Sequence, residues 1–174
     1  DSTRRMSLSA NVRTAVGFTE IMSNSLTKEA YYEGLTSYPA ARCVRILKPW
    51  SADLNVMRQT LLVNTMEAVQ LNANRRNGNL RRYDCGNCYV YDEAAREAEK
   101  PLSAYSEQYR LAIAVTGAAV PQSWNAKPQA SSFFTLRAVA EKLLRRFGLD
   151  IYALNCEPLQ RDLFGDGLSL SAGH

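Results

Sequence analysis

The sequence contains one histidine, His174, which stands at the last position. Because a catalytic Ser–His–Asp or Cys–His group needs an imidazole inside the fold, nucleophilic catalysis of this type is excluded. The phosphate-binding sequences G-x-x-x-x-G-K and G-x-G-x-x-G are missing too, and the two glycines around Asp166 are typical of a turn. The acidic residues show no spacing that indicates an acid–base pair. Residue spacing therefore predicts no active site.

Long apolar runs are also missing. No stretch approaches the ~18–20 apolar residues that span a bilayer, and no apolar segment follows the first residues as in a signal peptide. The four cysteines are too few and too scattered for the disulfide framework of a small secreted protein, so a reducing cytosol is expected. The chain begins without methionine and shows no helix signal near its end, which favours a piece of a longer polypeptide.

Cys85 and Cys88 form a C-x-x-C sequence, which is typical of zinc and redox sites. No second C-x-x-C and no internal histidine accompany it. On a strand, an odd separation places two side chains on opposite faces of the sheet, where they cannot hold one ion. The pair is therefore predicted to be two small buried residues, and no metal site is expected.

The 174 residues are predicted to form a single α+β domain, an antiparallel sheet flanked by helices. Helices are predicted at 4–16, 28–34, 56–75 and 133–147, and strands at 18–26, 44–47, 83–91 and 109–115. The last strand has apolar or small residues on both faces, as a central strand does, and 117–132 is predicted to be a long loop. Ser131 or Ser132 is expected to cap the last helix. Its predicted buried stripe comprises Phe133, Leu136, Val139, Ala140, Leu143, Leu144 and Phe147.

Two features of this pattern have two interpretations each. The net charge of +4 is mild, but four arginines cluster around residues 77–79, namely Arg75, Arg76, Arg81 and Arg82. They either contact RNA phosphates or form a solvated helix end, where positive charge suits the helix dipole. Trp50 and Trp124 lie in predicted loops, where they either anchor an interface or pack a loop onto the core.

Residues 17–24 resemble the first motif of class II aminoacyl-tRNA synthetases. That motif is a helix followed by a strand of the form G-F-x-x-Φ-x-x-P, and it usually builds a dimer interface. Gly17, Phe18 and Ile21 match it, whereas Asn24 replaces the proline.

Three further segments are similar to bacterial phenylalanyl-tRNA synthetase β subunits. Residues 44–62 follow the pattern V-x-L-x-N-P-L-S-x-x-x-S-x-L-R-x-S-L-L, with Lys48 and Trp50 as departures. The matching residues are Pro49, Ser51, Arg58, Leu61 and Leu62. Residues 83–89 are similar to the strand F-E-x-G-x-x-F, and residues 109–137 keep the family order of T-G, then tryptophan, then D-F-(F/Y)-x-L-K. The resemblance covers residues 10–165.

The resemblance also indicates what this chain lacks. In catalytic class II cores a strand of the form G-x-x-F-R-x-E carries an arginine that holds the α-phosphate of ATP. Setting Gly86 and Tyr89 on this pattern puts Val90 at the arginine position and Asp92 at the glutamate position. Valine cannot neutralise a phosphate, and the third class II motif, with its ATP-binding arginine, does not appear in the sequence. The resemblance therefore implies a catalytically inactive module that binds no cofactor itself.

The role implied by the resemblance is assembly with a catalytic α subunit. The parent enzyme would be a cytoplasmic (αβ)₂ heterotetramer that uses ATP and Mg²⁺ to attach phenylalanine to tRNA(Phe). The motif-1-like segment would contact the α subunit through Phe18, Glu20, Met22 and Asn24.

Two alternatives remain open at this stage. An inactive class II paralogue that regulates an ATP phosphoribosyltransferase shares the implied fold and the lost arginine, but it should not carry the run from Pro49 to Leu62. An active small ligase of the biotin-protein-ligase type needs a glycine-rich nucleotide loop with an arginine, and none is visible.

Overall fold

The computed structural model describes residues 17–172, so the helix predicted at 4–16 lies outside the described residues. Within this range the α-helices are α1 (Leu62–Asn74) and α2 (Phe133–Arg146). The strands in this range are β1 (Thr19–Ile21), β2 (Leu26–Thr27), β3 (Val44–Arg45), β4 (Val56–Met57), β5 (Leu80–Tyr91), β6 (Tyr105–Thr116), β7 (Ala118–Val120), β8 (Gln129–Ala130), β9 (Asn155–Pro158) and β10 (Leu168–Ser171). Between residues 17 and 172, no helix has the length and apolar character needed to cross a membrane.

The main sheet has the order β1-β5-β6. β5 and β6 are antiparallel and pair along their whole length, from Leu80 opposite Thr116 to Tyr91 opposite Tyr105. β1, however, runs parallel to β5, so the prediction of an antiparallel sheet is right for one pair and wrong for the other. The chain between β1 and β5 is long and contains α1, and a connection of this kind returns a strand in the same direction.

β6 lies at the edge of the described sheet, and β5 is the central strand, which corrects the prediction for residues 109–115. The apolar residues of β6 have another cause. Leu111, Ile113 and Val115 pack into a core with Phe18 and Tyr83, and the small Ala112 and Ala114 alternate with them on the opposite face. Residues on both faces of β6 are therefore half-buried, although the strand lies at the edge of the described sheet.

A small second sheet, with the order β2-β4-β3, precedes α1. The helix predicted from residue 56 begins only at Leu62, because Val56 and Met57 form the central strand of this sheet. Val56 is fully buried beside Tyr32 and Cys43 in a second core cluster. The strand predicted at 18–26 is divided into β1 and β2, and the helix predicted at 28–34 is a short 3₁₀ turn, Glu29–Tyr32.

Of the residues in the predicted stripe of α2, only Val139 and Leu143 are buried. These two pack in the core cluster on the main sheet. Phe133, Leu136 and Phe147 are exposed, at 46%, 38% and 47%, which corrects the prediction for these three. The apolar stripe of the helix is wider than the narrow sheet that it covers. The predicted cap is confirmed at Ser132, whose backbone N–H donates to Oγ1 of Thr135 at 3.1 Å.

Residues 117–132 are a hairpin rather than an unstructured loop, because β7 and β8 pair within them. Gly117 begins this hairpin with a φ of +71°, in the left-handed region that favours glycine. A Cβ there would lie 2.5 Å from the carbonyl oxygen of Gly78. The segment that links α1 to β5 is thereby held against the start of the hairpin.

The C-terminal strands β9 and β10 form a hairpin that the sequence analysis did not predict. Its tip is attached to the loop before β3 by Asp162. The carboxylate of Asp162 accepts hydrogen bonds from the backbone N–H of Thr36 at 2.5 Å, the hydroxyl of Thr36 at 3.1 Å and the backbone N–H of Ser37 at 3.3 Å. Hydrogen bonding from the side chain of Ser37, and then from these groups, lowers the pKa of Asp162 to about 2.

Asp162→Asn is expected to remove a stabilising contact that depends on pH. Because the folded pKa of about 2 lies below the ordinary value of 3.8, the charged carboxylate stabilises the fold above pH 3.8, and this contribution is lost as the pH falls through about 2. The thermal midpoint of Asp162→Asn should therefore lie below that of the unaltered chain at neutral pH and approach it at pH 2. Asp166→Asn, in the same hairpin, is the control. A difference for Asp162→Asn that stays constant with pH would contradict this explanation.

Candidate functional site

The segment around β1 contains the four residues predicted to contact a partner. Phe18 is 4% exposed and packs against Tyr83, Val139 and Leu143. The carboxylate of Glu20 accepts a hydrogen bond from the hydroxyl of Tyr83 at 3.1 Å. Met22 is 96% exposed, and the side chain of Asn24 accepts from the backbone N–H of Leu26 at 3.1 Å.

The same segment is therefore divided between a core residue and a surface. Phe18 supports the strand from the interior, whereas Met22 and Asn24 face outwards. Of the four residues, Met22 and Asn24 are thus the exposed ones, and a contact of this segment with another chain stays a prediction.

A buried polar cluster lies immediately behind Met22 and Asn24. It is formed by Arg58, Asp84 and the hydroxyl of Ser23, and the side chains of Arg58 and Asp84 are 3% and 2% exposed. Nη1 of Arg58 lies 3.6 Å from Oδ2 of Asp84. The hydroxyl of Ser23 bridges them, since it accepts from Arg58 Nη1 at 2.6 Å and donates to Asp84 Oδ2. Buried charges of this kind are tolerated only when they are paired and hydrogen-bonded.

The cluster also holds the backbone of the exposed segment. Arg58 Nη1 donates to the carbonyl of Asn24 at 3.3 Å, and the amide of Asn64, on α1, donates to the same carbonyl at 3.3 Å. The backbone N–H of Arg58 donates to the carbonyl of Ser25 at 2.9 Å. Residues 23–25 are thus fixed to α1 and β5 although they lie between two short strands.

Arg58 packs against one face of β5. Every second residue of the strand lies on this face, namely Asp84, Gly86, Cys88 and Val90. Its Nε donates to the carbonyl of Asn87 at 2.9 Å, and its guanidinium lies so close to Gly86 that an added Cβ would overlap it. Glycine is therefore required at residue 86 for the approach of Arg58. The same face carries Val90. In the comparison with the class II strand G-x-x-F-R-x-E, Val90 takes the position of the ATP-binding arginine.

Asp92, at the predicted glutamate position, has a local structural role. Its side chain accepts from the backbone N–H of Ala94 at 3.1 Å, and its Oδ2 lies 3.4 Å from Nη2 of Arg42. Asp92 thereby begins the short 3₁₀ turn Glu93–Ala95. The carboxylate is used to cap this turn and to pair with a surface arginine.

Cys85 and Cys88 lie on opposite faces of β5, as predicted. Cys85 packs with the core cluster under α2, and Cys88 is 2% exposed on the face of Arg58. Burial raises the pKa of Cys85 to about 11, and it also raises the pKa of Cys88. Both thiols are therefore protonated at neutral pH. Within residues 17–172, no group of three or more His, Cys, Asp or Glu side chains is arranged to hold a metal ion.

Two of the four clustered arginines, Arg81 and Arg82, line an open cleft of about 410 Å³ at the start of β5. Arg75 and Arg76 lie on the exposed turn that leads into it and do not line it. The complete lining is Gly17, Thr19, Asn77, Asn79, Leu80, Arg81, Arg82, Ala118, Ala119 and Pro121. We call this feature the basic cleft.

Both tryptophans are exposed, Trp50 at 102% and Trp124 at 96%. The interpretation that they pack their loops onto the core is therefore wrong for this structure. Leu47, three residues before Trp50, is likewise fully exposed at 100%. A role of either tryptophan in an interface stays a prediction.

The Arg58–Asp84 pair is the main feature that sequence reasoning missed. From the sequence, Arg58 is predicted only as a motif position, and Asp84 only as part of a strand. The available signal was a charged residue inside each of two otherwise apolar or uncharged segments, 56–62 and 83–91. Such residues are seldom fully buried unless they are paired, but nothing in the sequence identifies the partner.

Comparison with known proteins identifies the family of this chain. Residues 2–170 match the family model of the phenylalanyl tRNA synthetase beta chain CLM domain. The chain is 42% identical over 170 residues to the phenylalanine–tRNA ligase beta subunit of Bacteroides fragilis and 43% identical over 169 residues to that of Bacteroides thetaiotaomicron. These alignments cover 98% and 97% of the chain but 21% of each relative. The beta subunit of Chlorobaculum tepidum is 31% identical over 140 residues, which are 80% of the chain and 17% of that subunit.

The chain therefore spans about a fifth of the length of these relatives. Among solved structures, pyrrolysyl-tRNA synthetase from Desulfitobacterium hafniense superposes with a TM-score of 0.62 at 14% sequence identity. The superposition covers 97% of this chain and 55% of that one. At this identity the likeness concerns the fold alone. It agrees with the α+β, class II-like fold expected from the sequence.

Proposed function

Because the chain belongs to the phenylalanyl-tRNA synthetase β-chain family, through the CLM domain of that family, we propose that it is a non-catalytic class II-like module. It supports assembly with a catalytic α subunit in a cytoplasmic (αβ)₂ enzyme. The complete enzyme charges tRNA(Phe) with phenylalanine, using ATP and Mg²⁺, and this module binds neither cofactor.

The proposal of a non-catalytic module rests on the face of β5 that carries Val90. In the correspondence drawn from the sequence, this is the face on which a class II core holds ATP. Here Val90 offers no charge to a phosphate, and the guanidinium of Arg58 is held by Asp84, Ser23 and the carbonyl of Asn87. The side chain of Arg58 is 3% exposed and its guanidinium is already bonded to these groups, so it is not available to a nucleotide.

The observation that carries the proposal of assembly is the arrangement around β1. Met22 is a large apolar side chain that is 96% exposed, and the residues next to it are fixed by a buried ion pair. A rigid backbone that presents an apolar side chain to solvent is favourable for binding, because little order must be imposed on association. We place the contact with the α subunit at Met22 and Asn24, with Phe18 and Glu20 supporting the strand from the core side.

A regulatory class II paralogue is not favoured. The family match extends over residues 2–170, and it includes the run from Pro49 to Leu62 that such a paralogue should lack.

Met22→Asp is expected to weaken association with the α subunit at least tenfold, because it places a charge where an apolar contact is proposed. Since Met22 is almost fully exposed, the fold should not change. The measurement is the dissociation constant of the two subunits, determined with the full-length β subunit that contains this chain.

Leu102→Asp serves as the matched control, because Leu102 is also an exposed apolar residue, at 76%, and lies at the opposite end of β5 and β6 from Thr19. Its affinity should stay within twofold of the unaltered subunit. Equal losses for the two variants, or no loss for Met22→Asp, would remove the β1 segment from the interface.

A further inference from the structure

We propose that the basic cleft binds phosphate groups of an RNA backbone. This inference goes beyond the assembly role and does not depend on the contact at Met22. It starts from the four clustered arginines, for which the sequence left open either RNA contact or a solvated helix end. The structure adds a cleft, and it separates the four into two that line it and two on the exposed turn that precedes the lining residue Asn77.

Among the described residues, no carboxylate neutralises the charge in the cleft. Arg81 and Arg82 are its charged lining residues, and no aspartate or glutamate lines it. Among the ion pairs formed within residues 17–172, none includes Arg75, Arg76, Arg81 or Arg82. Guanidinium groups without a carboxylate partner favour binding of an anion, and their fork of donors matches the oxygens of a phosphate.

The position of Arg81 is fixed by the β7–β8 hairpin. Its Nη2 donates to the carbonyl of Ala119 at 2.9 Å, which uses one of its five N–H groups and leaves the others for a ligand. Thr19, Asn77 and Asn79 supply neutral polar side chains in the same lining. The lining thus contains two arginines and several uncharged polar side chains, and because successive residues of β5 alternate between its faces, Arg81 is the one whose guanidinium is fixed towards the hairpin.

The walls of the cleft are held together independently of any ligand. The hydroxyl of Thr116 donates to the carbonyl of Gly78 at 2.7 Å, and the side chain of Asn79 accepts from the backbone N–H of Ala118 at 2.8 Å. These bonds join the segment before β5 to the hairpin after β6. A site ordered in advance loses less conformational entropy on binding.

RNA fits this surface better than an acidic protein segment does. Protein interfaces are generally anchored by aromatic or large aliphatic side chains, whereas the only large apolar residue in the lining is Leu80, which is 3% exposed. The cleft is open, and Arg75 and Arg76 extend the positive charge beyond it. An extended polyanion meets all four groups, whereas one small anion does not.

The test uses the full 174-residue chain and a fluorescein-labelled single-stranded uridine oligonucleotide, with anisotropy as the readout. The double variant Arg81→Gln, Arg82→Gln should bind at least tenfold more weakly at low salt. The slope of log K against log salt should fall by about 1.4, since each lost single-strand phosphate contact removes about 0.7. The control Arg145→Gln, Arg146→Gln removes the same charge from the exposed end of α2 and should stay within twofold.

Circular dichroism establishes that each variant is folded. Because Arg81 also bonds to Ala119, the double variant Arg75→Gln, Arg76→Gln provides a second test, with a smaller loss of affinity and no structural bond removed. Equal losses for the cleft and control pairs, or no measurable binding of the oligonucleotide, would overturn the proposal. So would tighter binding of polyglutamate than of RNA, or displacement of the RNA by an equal phosphate concentration of inorganic phosphate. None of these outcomes would affect association with the α subunit.

Discussion

Arg58→Met is expected to destabilise the fold by about 3–5 kcal/mol, since removing one partner of a buried ion pair leaves the other charge uncompensated. The charge left unpaired is the carboxylate of Asp84, whose side chain is 2% exposed. The variant also removes the hydrogen bonds that Arg58 donates to Ser23 and to the carbonyls of Asn24 and Asn87. Methionine has a similar length and fills most of the volume, so the loss is mainly electrostatic.

The measurement is thermal and urea unfolding of the full chain. For a chain of this size a loss of 1 kcal/mol lowers the melting temperature by about 2–4 °C, so a fall of about 10 °C is expected. Arg145→Met, at an exposed position of α2, should change the stability by less than about 0.5 kcal/mol. A melting temperature of Arg58→Met that equals that of Arg145→Met would show that the buried cluster does not hold the fold together.

Gly117→Ala is expected to cause the second large loss, about 3 kcal/mol or more. Two separate costs combine at this residue. The φ of +71° is strained for any residue with a Cβ, by about 1–2 kcal/mol, and the new methyl group would lie 2.5 Å from the carbonyl oxygen of Gly78, a backbone atom that cannot rotate away. The segment before β5 and the β7–β8 hairpin would have to separate.

Gly148→Ala isolates the first cost. Its φ is +78°, but nothing lies within 4 Å of an added Cβ, so only about 1–2 kcal/mol should be lost. Unfolding of both variants in urea gives the comparison. Equal losses would mean that the contact with Gly78 relaxes without cost, and the walls of the basic cleft would then be less rigid than we infer.

The sequence pattern predicts correctly those helices and strands that depend on their own consecutive residues. The strand predicted at 83–91 is present within β5, and the helix after Ser132 begins where its capping residue predicts. Alternation along β5 also placed Cys85 and Cys88 on opposite faces. In each of these cases the side-chain period and the cap are properties of consecutive residues.

Elements determined by distant partners were predicted less well. The sequence predicts a helix start at residue 56, after the polar residues Ser51 and Asp53, yet Met57 pairs with both Leu26 and Val44 in a strand. Strand pairing across about 30 residues leaves no mark on local periodicity. The parallel direction of β1 and the exposure of Phe133 are further results of tertiary packing that the local sequence does not contain.

The candidate sites follow the same division. The β1 segment is predicted through its resemblance to the class II interface motif, and the four arginines are predicted from their clustering in the sequence. The buried cluster could not, since Arg58 and Asp84 meet only when the chain before α1 reaches β5. The basic cleft likewise depends on the hairpin after β6, whose residues show no sign of contact with Arg81.

The central claim is that this chain is an inactive module that assembles with a catalytic subunit. The most direct measurement is size-exclusion chromatography of the full chain mixed with the α subunit, with the full-length β subunit as the reference, followed by phenylalanine-dependent pyrophosphate exchange on the eluted complex. We predict co-elution, with no exchange activity beyond that of the α subunit alone. Separate elution while the full-length β subunit binds, or exchange activity from the chain by itself, would contradict the account.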